Sequence, residues 1–111
     1  MEPETILQNQ TIAELNRRGH FARNHTVGQF FTKYGGIVHV GVHGEADIDG
    51  FRKGDARALF LECKVPGKKP REDQMQFLRA MARMGAIAGW FTSIDEAIKI
   101  VEDGYDVKLT P

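Results

Sequence analysis

Apolar residues recur at three-and-four spacing at the start of the chain. In ETILQNQTIAELNRR (residues 4–18), Ile6 or Leu7, Thr11, Ile12 and Leu15 fall on one stripe, which predicts a helix. Arg17 and Arg18 suit the negative end of its dipole, and Gly19 is a natural stop. HFARNHTV (20–27) then reads as a short strand, residues 28–36 with their three glycines as a loop, and IVHVGV (37–42) as a further strand. In EADIDG (45–50) the alternation is strict: Glu45, Asp47 and Asp49 on one side, Ala46 and Ile48 on the other. FRKGDAR is a turn, punctuated by Gly54 and Asp55. RALFLECKV (57–65) is the strongest strand. Both of its sides begin apolar, so it predicts a central strand covered on two faces.

PGKKP breaks the pattern, and a helix follows to about Met84, with Pro70 expected at its first position and Glu72 and Asp73 in its first turn. Met75, Leu78, Met81 and Ala82 form its stripe and Gly85 ends it. AIAGWF (86–91) predicts a buried strand. Ser93 and Glu96 have capping-box spacing and open a last helix through Val101. The tail after Gly104 is expected to add an edge strand or lie loose. The order is helix, several strands, helix, strand, helix: an α/β fold, with a mixed central sheet flanked by helices.

A chain of 111 residues suits one domain over residues 1–111. It has no run of eighteen apolar residues, so no membrane span is expected. The acidic, polar start MEPETILQNQ lacks the pattern of a signal peptide, and the expected location is the cytoplasm. The single cysteine, Cys63, can form neither an internal disulfide nor a zinc cluster. Fifteen Lys and Arg balance fifteen Asp and Glu, so any affinity for nucleic acid must come from local concentrations of charge. Two basic clusters offer that: Arg17, Arg18 and Arg23, then Lys64, Lys68, Lys69 and Arg71. Ordinary solvated surface is the plainer reading of each cluster taken alone.

Three charges sit on segments that otherwise read as buried strand. If 45–50 pairs with 57–64 as a hairpin, Asp47 and Glu62 meet on one sheet face, with Lys64 two residues further on. Two close carboxylates repel, and burying them uncompensated is costly. A divalent cation removes that cost, and oxygen ligands with room for water suit Mg²⁺ or Mn²⁺. Such an ion polarises a phosphate and acidifies water, while Lys64 could orient the water or stabilise charge developing on the phosphate. The set suits phosphodiester hydrolysis. An acid followed by Glu-x-Lys is loose as a pattern. The apolar LFLECKV around it gives it weight, because Glu and Lys at the end of a buried strand need a reason.

GEADIDG, then LECK, then PGKKPREDQMQF resembles the virus-type replication-repair nuclease domain (VRR-NUC), a branch of the PD-(D/E)xK nuclease superfamily. The likeness runs from ETILQN to SIDEAIKIV. Glu4 stands ahead of Leu7, Gln8 and Asn9 as in the family's opening helix. Gly44, Glu45, Ala46 and Asp47 match its Gly-x-Pro-Asp, and Glu62, Cys63 and Lys64 its Glu-x-Lys. Gln74 and Phe77 match its helical Gln-x-x-Phe, and Gly85 to Gly89 with the segment from Ser93 its closing elements. Ala46 departs from the usual Pro, which removes rigidity but no ligand.

The resemblance implies a restriction-endonuclease-like core of αβββαβα order. It also implies metal-dependent cleavage of branched DNA, such as Holliday junctions, by a homodimer. A phage-encoded member would act in the host cytoplasm. Asp47 and Glu62 are then metal ligands, the backbone carbonyl of Cys63 a third, and Lys64 the group that positions the attacking water. Glu4 binds metal directly, through water or at a second ion, or is simply a helix-start acid. Gln74 hydrogen-bonds Lys64 or the DNA backbone, or is an exposed helix residue. Asp49, on the side of Asp47, reaches the metal or, more simply, is a hairpin surface acid; Cys63 reads as a small core residue, and Trp90 and Phe91 as core or dimer contacts. The four histidines read as surface or DNA-contact residues. Arg17, Arg18, Arg23, Lys68, Lys69 and Arg71 are candidate phosphate contacts, and residues 21–44 are the candidate dimer element. The alternatives are a non-catalytic DNA-binding or scaffold subunit that keeps the fold, and a nuclease acting on RNA.

Overall fold

The first helix, α1 (Pro3–Arg17), forms on the stripe its sequence carries: Thr11 and Leu15 are buried, and Leu7 and Ile12 pack beside them. The Thr11 hydroxyl donates to the Leu7 carbonyl at 2.8 Å, so it is satisfied inside an apolar stripe. Gly19 ends the helix at φ +97°, its amide bonding to Asn16 and that of His20 to Leu15. The computed structural model describes residues 1–25, 28–31, 37–40 and 44–104, and the backbone alone for 28–31 and 37–40.

Four strands make the main sheet: β1 (Phe21–Asn24), β4 (Ile48–Phe51), β5 (Ala58–Cys63) and β6 (Ile87–Phe91), adjacent in that order. The β1–β4 and β4–β5 pairs are antiparallel, and β5–β6 is parallel. A parallel neighbour requires a crossover, which α2 (Glu72–Arg83) supplies. The last helix, α3 (Ile94–Asp103), follows β6. Between β1 and β4 the chain makes a separate antiparallel ribbon, β2 (Gly28–Phe31) with β3 (Ile37–Val40). With the ribbon set aside, the element order is helix, three strands, helix, strand, helix.

The sheet is a middle layer. On one face, Leu15 of α1 and Ala97, Ile100 and Val101 of α3 pack on Ile48, Leu59, Leu61, Ile87 and Phe91. On the other, Met75 and Leu78 of α2 pack on Ala88 and Trp90, with Phe60 and Phe77 edge to face at 5.6 Å. β5 thus lies inside the sheet with helices on both sides, as its two apolar faces predict. Gly50 allows the β1–β4 approach, because a Cβ there would lie 1.8 Å from the Phe21 carbonyl oxygen.

Three expectations are corrected. Residues 28–36 are not wholly loop, because Gly28–Phe31 pairs as β2; its Gln-Phe-Phe favours extension despite the leading glycine. The acidic strand is shorter than 45–50 and begins at Ile48. The chain bends at Asp47, so Ala46 and Ile48 pack in opposite cores instead of sharing a face. Pro70 is not the first residue of α2. Gln74 accepts the Arg71 amide at 2.8 Å, which fixes Arg71 as the cap and leaves Pro70 outside. The tail 105–111 and His43 lie outside the described residues. No helix among the described residues is long and apolar enough to cross a membrane.

Candidate metal centre

The β4–β5 ladder pairs Ile48 with Leu61, and one more step along the same register sets Asp47 opposite Glu62. Regular pairing stops there because of the bend. Asp47 turns its carboxylate onto the neighbouring strand, where Oδ2 accepts the Cys63 amide at 2.9 Å. In an extended residue the N–H and C=O face the same strand edge, so the Cys63 carbonyl lies on the Asp47 side too. Lys64 ends β5 by donating its amide to the Phe91 carbonyl at 3.0 Å. Its Nζ stands 3.8 Å from Glu62 Oε1, with its side chain 13% exposed. The hairpin therefore brings Asp47, Glu62 and Lys64 together at the C-terminal end of the central strand.

Glu62 is 1% exposed. Burial and the adjoining Asp47 carboxylate push its pKa up to about 9; Lys64 opposes the rise and the charge of Glu4 adds to it. Gln74 Nε2 donates to Glu62 Oε1 at 2.9 Å, so this helical Gln is buried and engages the acid, in place of Lys64 or exposed solvent. No donor reaches buried Glu62 Oε2, and a hydrogen bond to the Asp47 carboxylate, which helps raise the Glu62 pKa, forms only while Glu62 keeps its proton. A bare carboxylate oxygen facing a second carboxylate is the donor set a hard cation would satisfy, and the residues present fit Mg²⁺ or Mn²⁺.

The first turn of α1 closes the same corner. The Glu4 carbonyl accepts the Cys63 thiol at 3.6 Å, and its carboxylate is near enough to act on Glu62 by charge. No group of three or more His, Cys, Asp and Glu side chains forms a ready metal cage among the described residues. Gln8, one turn on, donates to the Asp47 carbonyl at 3.3 Å and also bonds Asn24. Gly44, at φ +88°, packs where a Cβ would lie 3.0 Å from the Asp73 carbonyl oxygen, letting the Asp47 segment reach the start of α2. Two helix N-termini thus converge on the corner, and their positive ends favour anions there.

Beside Asp47 opens a cleft of about 320 Å³, lined among others by His25, Glu45, Arg71 and Gln74. His25 had no motif to mark it, yet it organises this rim. Its amide donates to the Asp47 carbonyl at 2.8 Å, its Nδ1 meets Asp49 at 2.7 Å and its Nε2 meets Glu45. Burial disfavours the imidazolium, but the bonds and charges of Asp49 and Glu45 outweigh it, so its pKa is raised. Asp49 is consequently no surface acid: Arg23 also pairs with it at 2.7 Å. His20 is likewise buried, between Glu102 at 3.2 Å and the Lys53 amide at 3.0 Å, and is not a surface or DNA-contact residue.

The basic residues divide. Arg71 lines the cleft, while Lys68 and Lys69 are exposed in the connection before α2. Arg17 and Arg18 sit at the other end of α1 from Glu4, about 20 Å away at 1.5 Å per residue. Both hold Glu14, at 2.6 and 2.9 Å, and Arg18 also meets Glu102 at 3.0 Å, so they do not flank the carboxylates. Cys63 is fully buried in the core, and burial, first among causes, raises its thiol to about 12. Trp90 and Phe91 are core residues.

Neither a protein-family model nor a curated protein sequence matches the chain.

Proposed function

We propose that the protein is a metal-dependent phosphodiesterase and, more particularly, an endodeoxyribonuclease of the PD-(D/E)xK type, similar to VRR-NUC nucleases and acting on branched DNA as a homodimer. The observation that carries the reading is buried Glu62 set against half-buried Asp47, with no donor reaching Glu62 Oε2. The element order, and Lys64 beside the pair, support it further.

Asp47, Glu62 and the Cys63 carbonyl would hold Mg²⁺ or Mn²⁺, with Glu4 adding charge, a water-mediated contact or part of a second site. When bound, the ion supplies Lewis acidity to the scissile phosphate and to water. Gln74 fixes the Glu62 carboxylate in position. Asp47 is held from two sides, by the Cys63 amide at its side chain and by His25 and Gln8 at its carbonyl. The Lys64 ammonium orients the attacking water and stabilises negative charge that grows on the phosphate. Arg71, at the cleft rim, contacts the flanking DNA backbone.

The test mixes purified protein with labelled four-way junctions, splayed duplexes and linear duplexes in Mn²⁺, Mg²⁺ or EDTA. Cleavage is expected with either ion, and it is expected to vanish in chelator and in Asp47→Asn, Glu62→Gln and Lys64→Ala. Cutting that survives EDTA, or full activity in Lys64→Ala, rejects the mechanism. Binding without cutting under every metal assigns the chain to the scaffold class instead. A solution mass measurement decides the homodimer.

A further inference from the structure

We propose that the part of the main sheet that no described helix covers, on the α2 face of β1 and β4, is a track for an unpaired DNA strand, with Phe21 and Phe51 as a stacking platform for its bases. The proposal rests on the nuclease reading and specifies its substrate: branched DNA with unpaired nucleotides beside the cut.

Phe21 and Phe51 are cross-strand partners, yet each is 51% exposed. Their rings lie 6.3 Å apart and tilted by 31°, forming a shallow aromatic shelf and not a closed core pair. Two large apolar rings left in water on a sheet face call for an occupant. The geometry specifies one. Side chains alternate, so Phe21 and Arg23 share a face of β1 and Phe51 and Asp49 the same face of β4, with His25 and the bend at Asp47 just beyond the ends of the two strands. From Phe51 to Asp47 is four residues, about 13 Å, or roughly four base steps of a stacked strand. Arg23, its side chain 65% exposed, stands between shelf and metal corner, with its guanidinium 6.0 Å from the Phe21 ring centre. Aromatic faces at one end, a solvent-facing guanidinium midway and a phosphate-cutting corner at the other end suit a single nucleic-acid strand: bases stack on rings while the backbone passes a cation. Asp49 and Glu45 neutralise much of the positive charge of Arg23 and His25, so the rings, not charge, make the strip attractive. The competing occupant is a second copy of this chain, because Ala58, Phe60, Met81 and Met84 continue the apolar surface past Phe51 in a cleft of about 340 Å³.

The experiment compares binding to a blunt duplex and to the same duplex with a single-stranded oligothymidine tail, in Ca²⁺ to withhold cleavage, with solution mass recorded throughout. Wild type is expected to prefer the tailed duplex, and Phe21→Ala/Phe51→Ala to lose about tenfold or more of that preference. Phe51→Trp is expected to keep the preference and to show ring fluorescence quenched by oligothymidine, a readout that holds even if the double variant folds poorly. Equal wild-type affinity for blunt and tailed duplexes, or an unquenched Phe51→Trp that still binds, overturns the track while leaving the nuclease reading intact. A double variant that changes mass without changing preference gives the face to a second copy, and also overturns it. Wild type that binds neither duplex but does bind a four-way junction overturns the track alone, and wild type that binds none of the three defeats the nuclease reading and the track together.

Discussion

Replacing Glu62 by Gln should stabilise the metal-free protein at neutral pH. Glu62 holds its proton up to about pH 9 in the folded state, against 4.5 ordinarily, because burial and Asp47 disfavour the anion. Between those values the unfolded chain has released the proton and the folded chain has not, so stability falls as pH rises. Each pH unit costs about 1.4 kcal/mol, and from pH 4.5 to pH 7 the loss is about 3 kcal/mol. Below pH 4.5 both states are protonated and the cost disappears. Gln keeps an acceptor for Gln74 and cannot ionise, so Glu62→Gln should exceed wild type by about 3 kcal/mol at pH 7 in EDTA. That corresponds to on the order of 10 °C in Tm for a domain of this size. The gap should close toward pH 4.5. Excess Mn²⁺ should then raise the wild type, by about 2.7 kcal/mol at a hundred times Kd, and leave the variant unmoved. Thermal unfolding followed by circular dichroism across pH 4.5–8, with EDTA or Mn²⁺, reads all three effects. A variant no more stable than wild type at pH 7 in EDTA, or a gap that does not shrink on acidification, would refute the reasoning.

Other substitutions separate roles within the corner. Lys64→Ala should cut about 10²-fold more slowly or worse in single-turnover assays, yet still gain thermal stability from Mn²⁺, because Lys64 serves charge on the phosphate more than the ion. Gln74→Leu removes the donor to Glu62 Oε1 and the cap on the Arg71 amide; metal affinity by titration calorimetry should fall about 10- to 100-fold. Gly50→Ala would drive a methyl into the Phe21 carbonyl and part β1 from β4; denaturant unfolding should show a loss of about 3 kcal/mol or outright failure to fold. Arg17→Ala, at the far end of α1, should leave the cleavage rate at its wild-type value, whereas Arg71→Ala at the cleft should weaken DNA binding and lower its salt dependence.

The elements were largely legible because their signals are local. The i, i+4 stripe of α1, the Gly19 and Gly85 stops and the Ser93 cap each depend on a few neighbouring residues, and Ser93 does accept the Glu96 amide at 3.2 Å. The Glu96 carboxylate, however, reaches back to Thr92. The Asp47–Glu62 approach was legible one level up. It needed only the assumption that two strands joined by a short turn pair in the register that buries their apolar residues.

What the chain could not announce from its own order of residues is everything that depends on which elements become neighbours. His25 shows no spacing to Asp47, Glu45 or Asp49, and it meets them because β1, remote in sequence, pairs with β4. Gln74 was visible as a helical polar residue, but packing of α2 on the sheet decided that it would be buried against Glu62. Packing also decided that the Glu4 end of α1 meets Cys63, which leaves Arg17 and Arg18, at its last turn, away from the carboxylates. Local periodicity fixes the type of each element, because propensity and alternation act over a few bonds. Long-range pairing fixes the corner, because a buried carboxylate's neighbours are set by which surfaces the core brings together.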